Sequence, residues 1–219
     1  MRTIAITGAG SGLGRALALK YAQNDYKVFL LGRDDTKLHF VQNSIIQNGG
    51  QAEVVLCDVR EQASVSIAFQ QIGQLDAFIN NAGIGIFGPV EDYTLEEIEN
   101  TLNTNIKGTI LTVQSVLPLV RKSSGRILNI ISTAGLRGKV NESIYCASKF
   151  AVKGFTESLQ KEWENESISI TAVYMGGMNT PFWKESSHVT DPSGLKGPEV
   201  VAEQIFNEDD GRKEIIIDK

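Results

Sequence analysis

Cysteine and histidine are scarce in this chain, with two of each in 219 residues. Cys57 and Cys146 have no partner at CxxC spacing, and His39 and His188 alone cannot complete a ligand set, so no metal site is expected. Two cysteines do not make a disulfide scaffold, and both are read as free thiols in a reducing compartment. Basic residues are not in excess: 21 Lys and Arg stand against 26 Asp and Glu, a net charge of −5. With no clustered Lys/Arg stripe, the chain has no electrostatic reason to seek DNA, RNA or anionic lipid. Long apolar runs are missing too. No 18-residue apolar stretch occurs, so no membrane-spanning helix is expected. The opening apolar run stops at Thr7-Gly8, too short for a signal peptide, and a cytoplasmic location is the expectation. Internal repeats and low-complexity segments are absent. What is there, 42% hydrophobic and 21% charged residues, is ordinary for a globular protein, and the length suits one large α/β core.

Short apolar runs alternate with helical patterns. Strands are expected at 4–6, 27–31, 52–56, 77–79, 126–131, 169–173 and 214–217. Helices are expected at 12–23, 36–48, 62–72, 95–120 with a bend near 105–108, 143–166 and 199–205. Most of the strands are apolar on both sides of the alternation, as in a parallel sheet covered by helices on both faces. The expected fold is a single-domain α/β architecture over residues 1–219, a doubly wound, mostly parallel sheet flanked by helices. The Ser-, Gly- and Pro-rich stretch 184–197 reads as a surface loop, the heart of a short substrate loop near 181–198. Along the helix at 143–166, Ala147, Ala151, Phe155, Leu159 and Trp163 recur at i+4 steps and are expected to pack on the sheet.

Between the first strand and first helix lies Thr7-Gly8-Ala9-Gly10-Ser11-Gly12-Leu13-Gly14. Glycines there let the backbone approach a pyrophosphate, and a helix N-terminus supplies free N–H groups with partial positive charge. A G-x-G-x-x-G pattern fails, because Leu13 and Arg15 stand where it needs glycine. Gly8, Gly12 and Gly14 instead fit G-x-x-x-G-x-G.

Further motifs follow in order. Asn80-Asn81-Ala82-Gly83 succeeds the fourth strand, and Asp58 lies just past the third. Asn105-Ile106-Lys107-Gly108 sits at the helix bend. Ser132 follows the fifth strand, thirteen residues before Tyr145 in Tyr145-Cys146-Ala147-Ser148-Lys149. With these motifs the chain resembles the short-chain dehydrogenase/reductase family over nearly its whole length. The resemblance implies a Rossmann-type sheet, a nicotinamide dinucleotide, and the catalytic set Asn105, Ser132, Tyr145 and Lys149. It also implies cofactor contacts at Gly8, Ser11, Gly12, Leu13, Gly14, Arg33, Asp58, Val59, Asn81, Ala82, Gly83, Tyr145, Lys149, Gly176, Met178 and Thr180. Asp58 would contact adenine, Lys149 the ribose hydroxyls, and Asn105 a water that relays protons to Lys149. Homodimers or homotetramers formed through the Tyr145 helix and the one before it are implied as well. Plainer roles stay open: Asn105 as a helix cap or kink, Asp58 as a turn residue, Ser132 as a strand-end cap. One departure is clear. Met175 stands where the family has the proline of PGxxxT, which would loosen the loop beside the nicotinamide.

Tyr145 and Lys149, at i and i+4, share a helix face. Free tyrosine, with a pKa near ~10, is a poor base at neutral pH. An ammonium beside it is expected to lower that value, letting the phenol exchange a proton with a carbonyl or alcohol oxygen that Ser132 holds in place. At the end of the second strand, Gly32 occupies the position where an acid would bind the ribose 2′-hydroxyl of NAD, and Arg33 follows. Arg33 offers a fork of donors to a 2′-phosphate, so NADP(H) is expected ahead of NAD(H). Asp34 and Asp35 read as caps of the next helix. Thr133, Ala134, Leu136, Val140, Gly177, Met178, Phe182 and Trp183 are expected to line an apolar substrate space, for a hydrophobic or aromatic ketone or aldehyde. The expected activity is carbonyl reduction or alcohol oxidation. Two rivals stand beside it: a catalytically idle dinucleotide sensor or scaffold, and an epimerase or dehydratase using the same Tyr/Lys pair. The short C-terminal portion speaks against a large nucleotide-sugar pocket.

Overall fold

The structure, a computed structural model, describes residues 1–183 and 188–217. Its seven strands are β1 (Arg2–Thr7), β2 (Tyr26–Gly32), β3 (Gln51–Leu56), β4 (Ala77–Asn80), β5 (Arg126–Ile130), β6 (Ser169–Met175) and β7 (Glu214–Ile217). They form one sheet in the order β3-β2-β1-β4-β5-β6-β7, and all six ladders are parallel. The helices are α1 (Gly12–Ala22), α2 (Asp35–Gln47), α3 (Gln62–Gln70), α4 (Leu95–Leu102), α5 (Gly108–Ser123), α6 (Ser143–Glu162) and α7 (Pro198–Glu208).

Strand alternation divides the core between the two faces. Ile4, Ile6, Val28 and Leu30 point to one side, where they pack with Leu17 and Tyr21 of α1, Leu38 and Ile45 of α2, and Ile205 of α7. Ala5, Phe29, Leu31 and Phe78 point to the other, against Val65 and Phe69 of α3, Val113 and Val116 of α5, and Leu159 of α6. Both faces of β1 are therefore dry, which is why its sequence shows no polar alternation. Because β1 lies between β2 and β4, the chain reverses its winding there. The crevice at the carboxyl ends of β1 and β4 is where such sheets bind ligands.

Local chemistry sets the helix starts. Asp34 caps α2 by accepting from the Lys37 N–H at 3.1 Å, the capping role read from the sequence. Thr94 and Glu97 form a capping box on α4. The helix expected at 95–120 is two helices joined by a π-type turn, Asn103–Lys107, so its bend is a local widening that carries Asn105. The i+4 stripe on α6 needs correction. Ala147 and Ala151 are exposed, Phe155 is half-buried, and only Leu159 and Trp163 are buried. Each i+4 step overshoots a full turn by about 40°, so a stripe followed that far winds from one face to another. The buried residues of α6 are Tyr145, Cys146, Ser148, Lys149, Val152, Thr156 and Leu159.

At the opposite end of the sheet, Arg126 grips Asp209 with two hydrogen bonds, at 2.5 and 2.6 Å. The Tyr21 hydroxyl donates to the same carboxylate at 2.5 Å, and Arg126 also reaches the Tyr26 oxygen at 3.0 Å. This cluster ties α1, β2, β5 and the end of α7 together far from the crevice.

Candidate active site

The crevice is a cavity of 640 Å³ running along the carboxyl ends of the strands, within the range of small-molecule and cofactor sites. The glycine turn forms one end. Gly8 has φ +66° and Gly12 φ +50°, left-handed values that favour glycine. A side chain on Gly14 would run into the Gly8 carbonyl and the Asn81 amide, so this glycine lets α1 start against the end of β1. No side chain caps the start of α1, leaving its first backbone N–H groups beside the cavity to meet an anion. Asn81 braces the turn by donating from Nδ2 to the Thr7 carbonyl at 2.9 Å. The Asn81 and Ala82 N–H groups both donate to the Thr7 hydroxyl, at 2.9 and 3.0 Å. The donor set and the close backbone approach fit a dinucleotide pyrophosphate.

Next to the turn, the wall carries more positive charge than the sequence reading assigned it. Arg33, 57% exposed, lines the cavity together with Lys37 and Arg60. Arg60 clasps Asp58 from both Nε and Nη2, at 3.0 and 2.7 Å, and holds its carboxyl below the usual range. Arg33 stands 4.0 Å from the same carboxylate. Asp58 and Val59 both lie on the wall. Nothing in the local sequence marks Lys37 or Arg60 as part of a site, because the fold alone carries them there.

At the far end stand Ser132, Tyr145 and Lys149, all buried and all lining the cavity. Ser132, just past β5, adopts φ 104° and ψ 152°, a conformation nearly confined to glycine. Its hydroxyl accepts from the Ala134 N–H at 3.2 Å. The sequence led us to expect Lys149 to lower the proton affinity of Tyr145. The structure shows the opposite balance. Burial pushes the Tyr145 phenol well above its ordinary value, with the Ser132 side chain pulling it down and Glu142 adding to the rise. Lys149 is itself desolvated and brought down to about 8. Its ammonium donates to the Ile130 carbonyl at 3.1 Å and lies 5.6 Å from the centre of the Tyr145 ring.

Asn105 is buried in the π turn, off the cavity wall. It accepts from the Ile84 N–H and donates to the Ile84 carbonyl, each at 2.9 Å, and donates to the Ser148 hydroxyl at 3.0 Å. Its side chain thus fixes the loop after β4 against α6. A side chain on Gly83 would come within 3.2 Å of the Asn105 Oδ1 and 3.6 Å of the Lys149 Nζ.

Gly176, Met178 and Thr180 line the cavity, as do Gly177, Phe182 and Trp183. Met175 ends β6, buried and in register with Ile217. A bridge between Met178 and Lys196 ties down the loop that follows, and Trp183 Nε1 donates to the Met178 carbonyl at 2.8 Å. Residues 184–187 of the expected substrate loop lie outside the described residues. Four residues assigned to the substrate wall do not line it. Ala134 is fully buried against Tyr145 and Cys146, Val140 is 83% exposed, and Thr133 and Leu136 also lie off the cavity. The chain after Ser132 turns at once into a short 3-10 turn, Thr133–Gly135, and carries them away. In their place the wall includes Ile84, Gly85, Lys139 and Glu142.

A family model described as short chain dehydrogenase matches residues 2–190. The chain belongs to the short chain dehydrogenase family. It is 33% identical over 213 residues to the levodione reductase of Leifsonia aquatica, covering 94% of this chain and 79% of that one. A short-chain dehydrogenase from Sphingobium yanoikuyae, solved in complex with NADPH, superposes with a TM-score of 0.90 at 26% identity, covering 99% of this chain and 87% of that one. A short chain dehydrogenase/reductase from Burkholderia phymatum, solved in complex with NAD, gives 0.89 at 25% identity, covering 98% and 88%. This short chain dehydrogenase is therefore an oxidoreductase with a Rossmann-type fold. Among its described residues, no helix is long and apolar enough to cross a membrane, and no group of three His, Cys, Asp or Glu side chains could hold a metal.

Proposed function

We propose that this chain transfers hydride between NADP(H) and a carbonyl or secondary alcohol, with Tyr145 as general acid and base. One observation carries the reading: a single cavity joins the uncapped glycine turn at one end to Ser132, Tyr145 and Lys149 at the other. The nicotinamide, when bound, supplies or takes the hydride. The neighbours complexed with NADPH and with NAD support a dinucleotide as such. Arg33, with Lys37 and Arg60 on the same wall, favours the 2′-phosphate of NADP(H) over NAD(H). In the reading, the glycine turn holds the pyrophosphate, Asp58 and Val59 flank the adenine, and Asn81, Ala82 and Gly83 floor the site. Gly176, Met178 and Thr180 close it.

The tuning of Tyr145 argues for reduction at neutral pH. Buried and high in proton affinity, it stays a phenol and can donate to a developing alkoxide. Ser132 donates to the same oxygen and fixes its position. Lys149, protonated below about 8, lends positive charge as the phenol loses its proton. Asn105 acts through the loop and helix it joins. The reading goes with a cytoplasmic homodimer or homotetramer built through α5 and α6, supported by the outer face of α6, where Ala147, Phe150 and Ala151 are exposed.

A carbonyl panel run with NADPH and with NADH, followed by absorbance loss, tests the activity. Turnover supports it, and tight NADPH binding with no turnover of any carbonyl would establish the idle sensor instead. Arg33→Ala tests the cofactor. Its Michaelis constant should rise roughly tenfold or more for NADPH and change little for NADH, since a guanidinium–phosphate contact is a strong charge-assisted one. Equal changes for both cofactors would overturn the NADP(H) preference.

A further inference from the structure

Glu142 is the acid that the mechanism leaves unused. It precedes α6, three residues before Tyr145, and its side chain is only 8% exposed although it lines the catalytic end of the cavity. A carboxylate accepts about four hydrogen bonds when satisfied. Its Oε1 meets His188 Nε2 at 3.0 Å, while among the described residues its Oε2 has the Lys139 ammonium, at 3.8 Å, and no hydrogen-bond donor. Aromatic rings gather around its His188 partner and the neighbouring wall. Phe182 and Trp183 line the cavity, Phe87 stacks on Trp183 at 5.4 Å and on His188 at 4.8 Å, and Tyr145 meets Phe87 edge-on at 5.4 Å. Gly85 is what admits this packing, since a side chain there would strike the rings of Phe87 and Phe182.

A wholly apolar substrate seated against those rings would seal Oε2 from water and give it no donor, and a buried charged acceptor left unsatisfied is costly. Lys139 does not turn the site toward anions, because its charge is already opposed by Glu142. We propose that Glu142 is a specificity-determining residue. Its carboxylate accepts a hydrogen bond from a hydroxyl or ammonium group that the substrate carries beside its reacting carbon, while Phe182 and Trp183 cover the apolar remainder. The proposal rests on the carbonyl-reductase reading and sharpens the apolar substrate space expected from sequence into one with a single acidic corner.

The test uses three matched ketones with NADPH: a plain alkyl aryl ketone, its hydroxymethyl ketone and its aminomethyl ketone. Wild type and two variants, Glu142→Gln and Glu142→Ala, are compared by ratios of kcat/KM. Intrinsic carbonyl reactivity bears on wild type and variant alike, and any effect of Glu142 on the proton affinity of Tyr145 bears on all three ketones alike, so both cancel when the ketone ratios are compared between enzymes. Glu142 makes no side-chain cap bond to α6, so both variants keep the helix start. In wild type, one donor-bearing ketone at least should be favoured roughly tenfold or more over the plain one beyond its preference in Glu142→Ala, as expected for a hydrogen bond to a charged group. The favoured ketone identifies the donor, and Glu142→Gln, which keeps an acceptor oxygen without the charge, should keep more of a preference for a hydroxyl than of one for an ammonium. Ratios equal in wild type and Glu142→Ala, or a uniform loss on all three ketones, would overturn the proposal. So would a wild-type preference for the matching keto acid, which assigns the corner to Lys139. No turnover of any ketone would overturn the reductase reading itself, and this inference with it.

Discussion

Ser132 carries the clearest sign of a cost accepted for function. Its φ of 104° and ψ of 152° lie where a side chain costs about 1–3 kcal/mol and glycine does not. The greater freedom of an unfolded glycine returns up to ~1 kcal/mol of that. Ser132→Gly is therefore expected to raise Tm by a few degrees while cutting kcat at least tenfold, read by calorimetry and by NADPH oxidation. A variant that loses both stability and activity would show that the serine hydroxyl is needed for folding. Lys149 supplies the pH dependence. Burial brings its ammonium to about 8, and the reaction as proposed needs the protonated form. The kcat/KM for reduction should hold steady near neutrality and fall as pH rises through about 8, since that parameter reports free-enzyme groups. A profile unchanged up to pH 10 would remove Lys149 from the proton chemistry. Tyr145 titrates higher still, so its own loss of the phenolic proton cannot account for a fall at that pH.

Among the elements, the glycine turn makes the most specific demand on sequence. Gly14 abuts the Gly8 carbonyl and the Asn81 amide, and neither can retreat, because Asn81 is bonded to Thr7 and β1 is fully buried past Thr3. Gly14→Ala should cost about 1–3 kcal/mol in stability from overpacking and weaken NADPH binding by more than tenfold, measured by fluorescence titration. This turn, the alternation of strands and helices and the Tyr145–Lys149 pairing were legible in the sequence because each depends on neighbours close along the chain. Helical spacing put Tyr145 and Lys149 on one face, and unbroken apolar strands implied a sheet covered twice. Other features arise only from folding. Arg60 and Lys37 reach the cavity beside the glycine turn through β3 and α2, and Glu142 reaches it beside Tyr145 because α6 begins at its wall. The proximity of Lys149 to Tyr145 was legible, but not the burial that outweighs its charge. Thr133 and Ala134 misled by sequence adjacency to Ser132, since the strained serine turns the chain away from the cavity.

For the whole molecule, the sheet separates chemistry from anchorage. The cavity-lining groups gather at the carboxyl ends of the strands, while Arg126, Asp209, Tyr21 and Tyr26 join the opposite ends. The Asp209 side chain is 1% exposed, and removing it strands Arg126 and leaves its hydrogen bonds unmade. Asp209→Ala is expected to cost about 3–5 kcal/mol, as for other broken buried pairs, which lowers Tm by roughly 6–20 °C in a chain of this size. The Michaelis constant for NADPH should stay within a factor of two in the folded fraction. A large change in it would couple the anchoring end to the cavity, against the division described here. The central claim is that Tyr145 exchanges the proton while hydride passes to a carbonyl, and NADPH oxidation by Tyr145→Phe measures it most directly. The account predicts a fall in turnover of about 10²–10⁴-fold with NADPH affinity, followed by fluorescence, kept within a few-fold of wild type. Undiminished carbonyl reduction by Tyr145→Phe would contradict it.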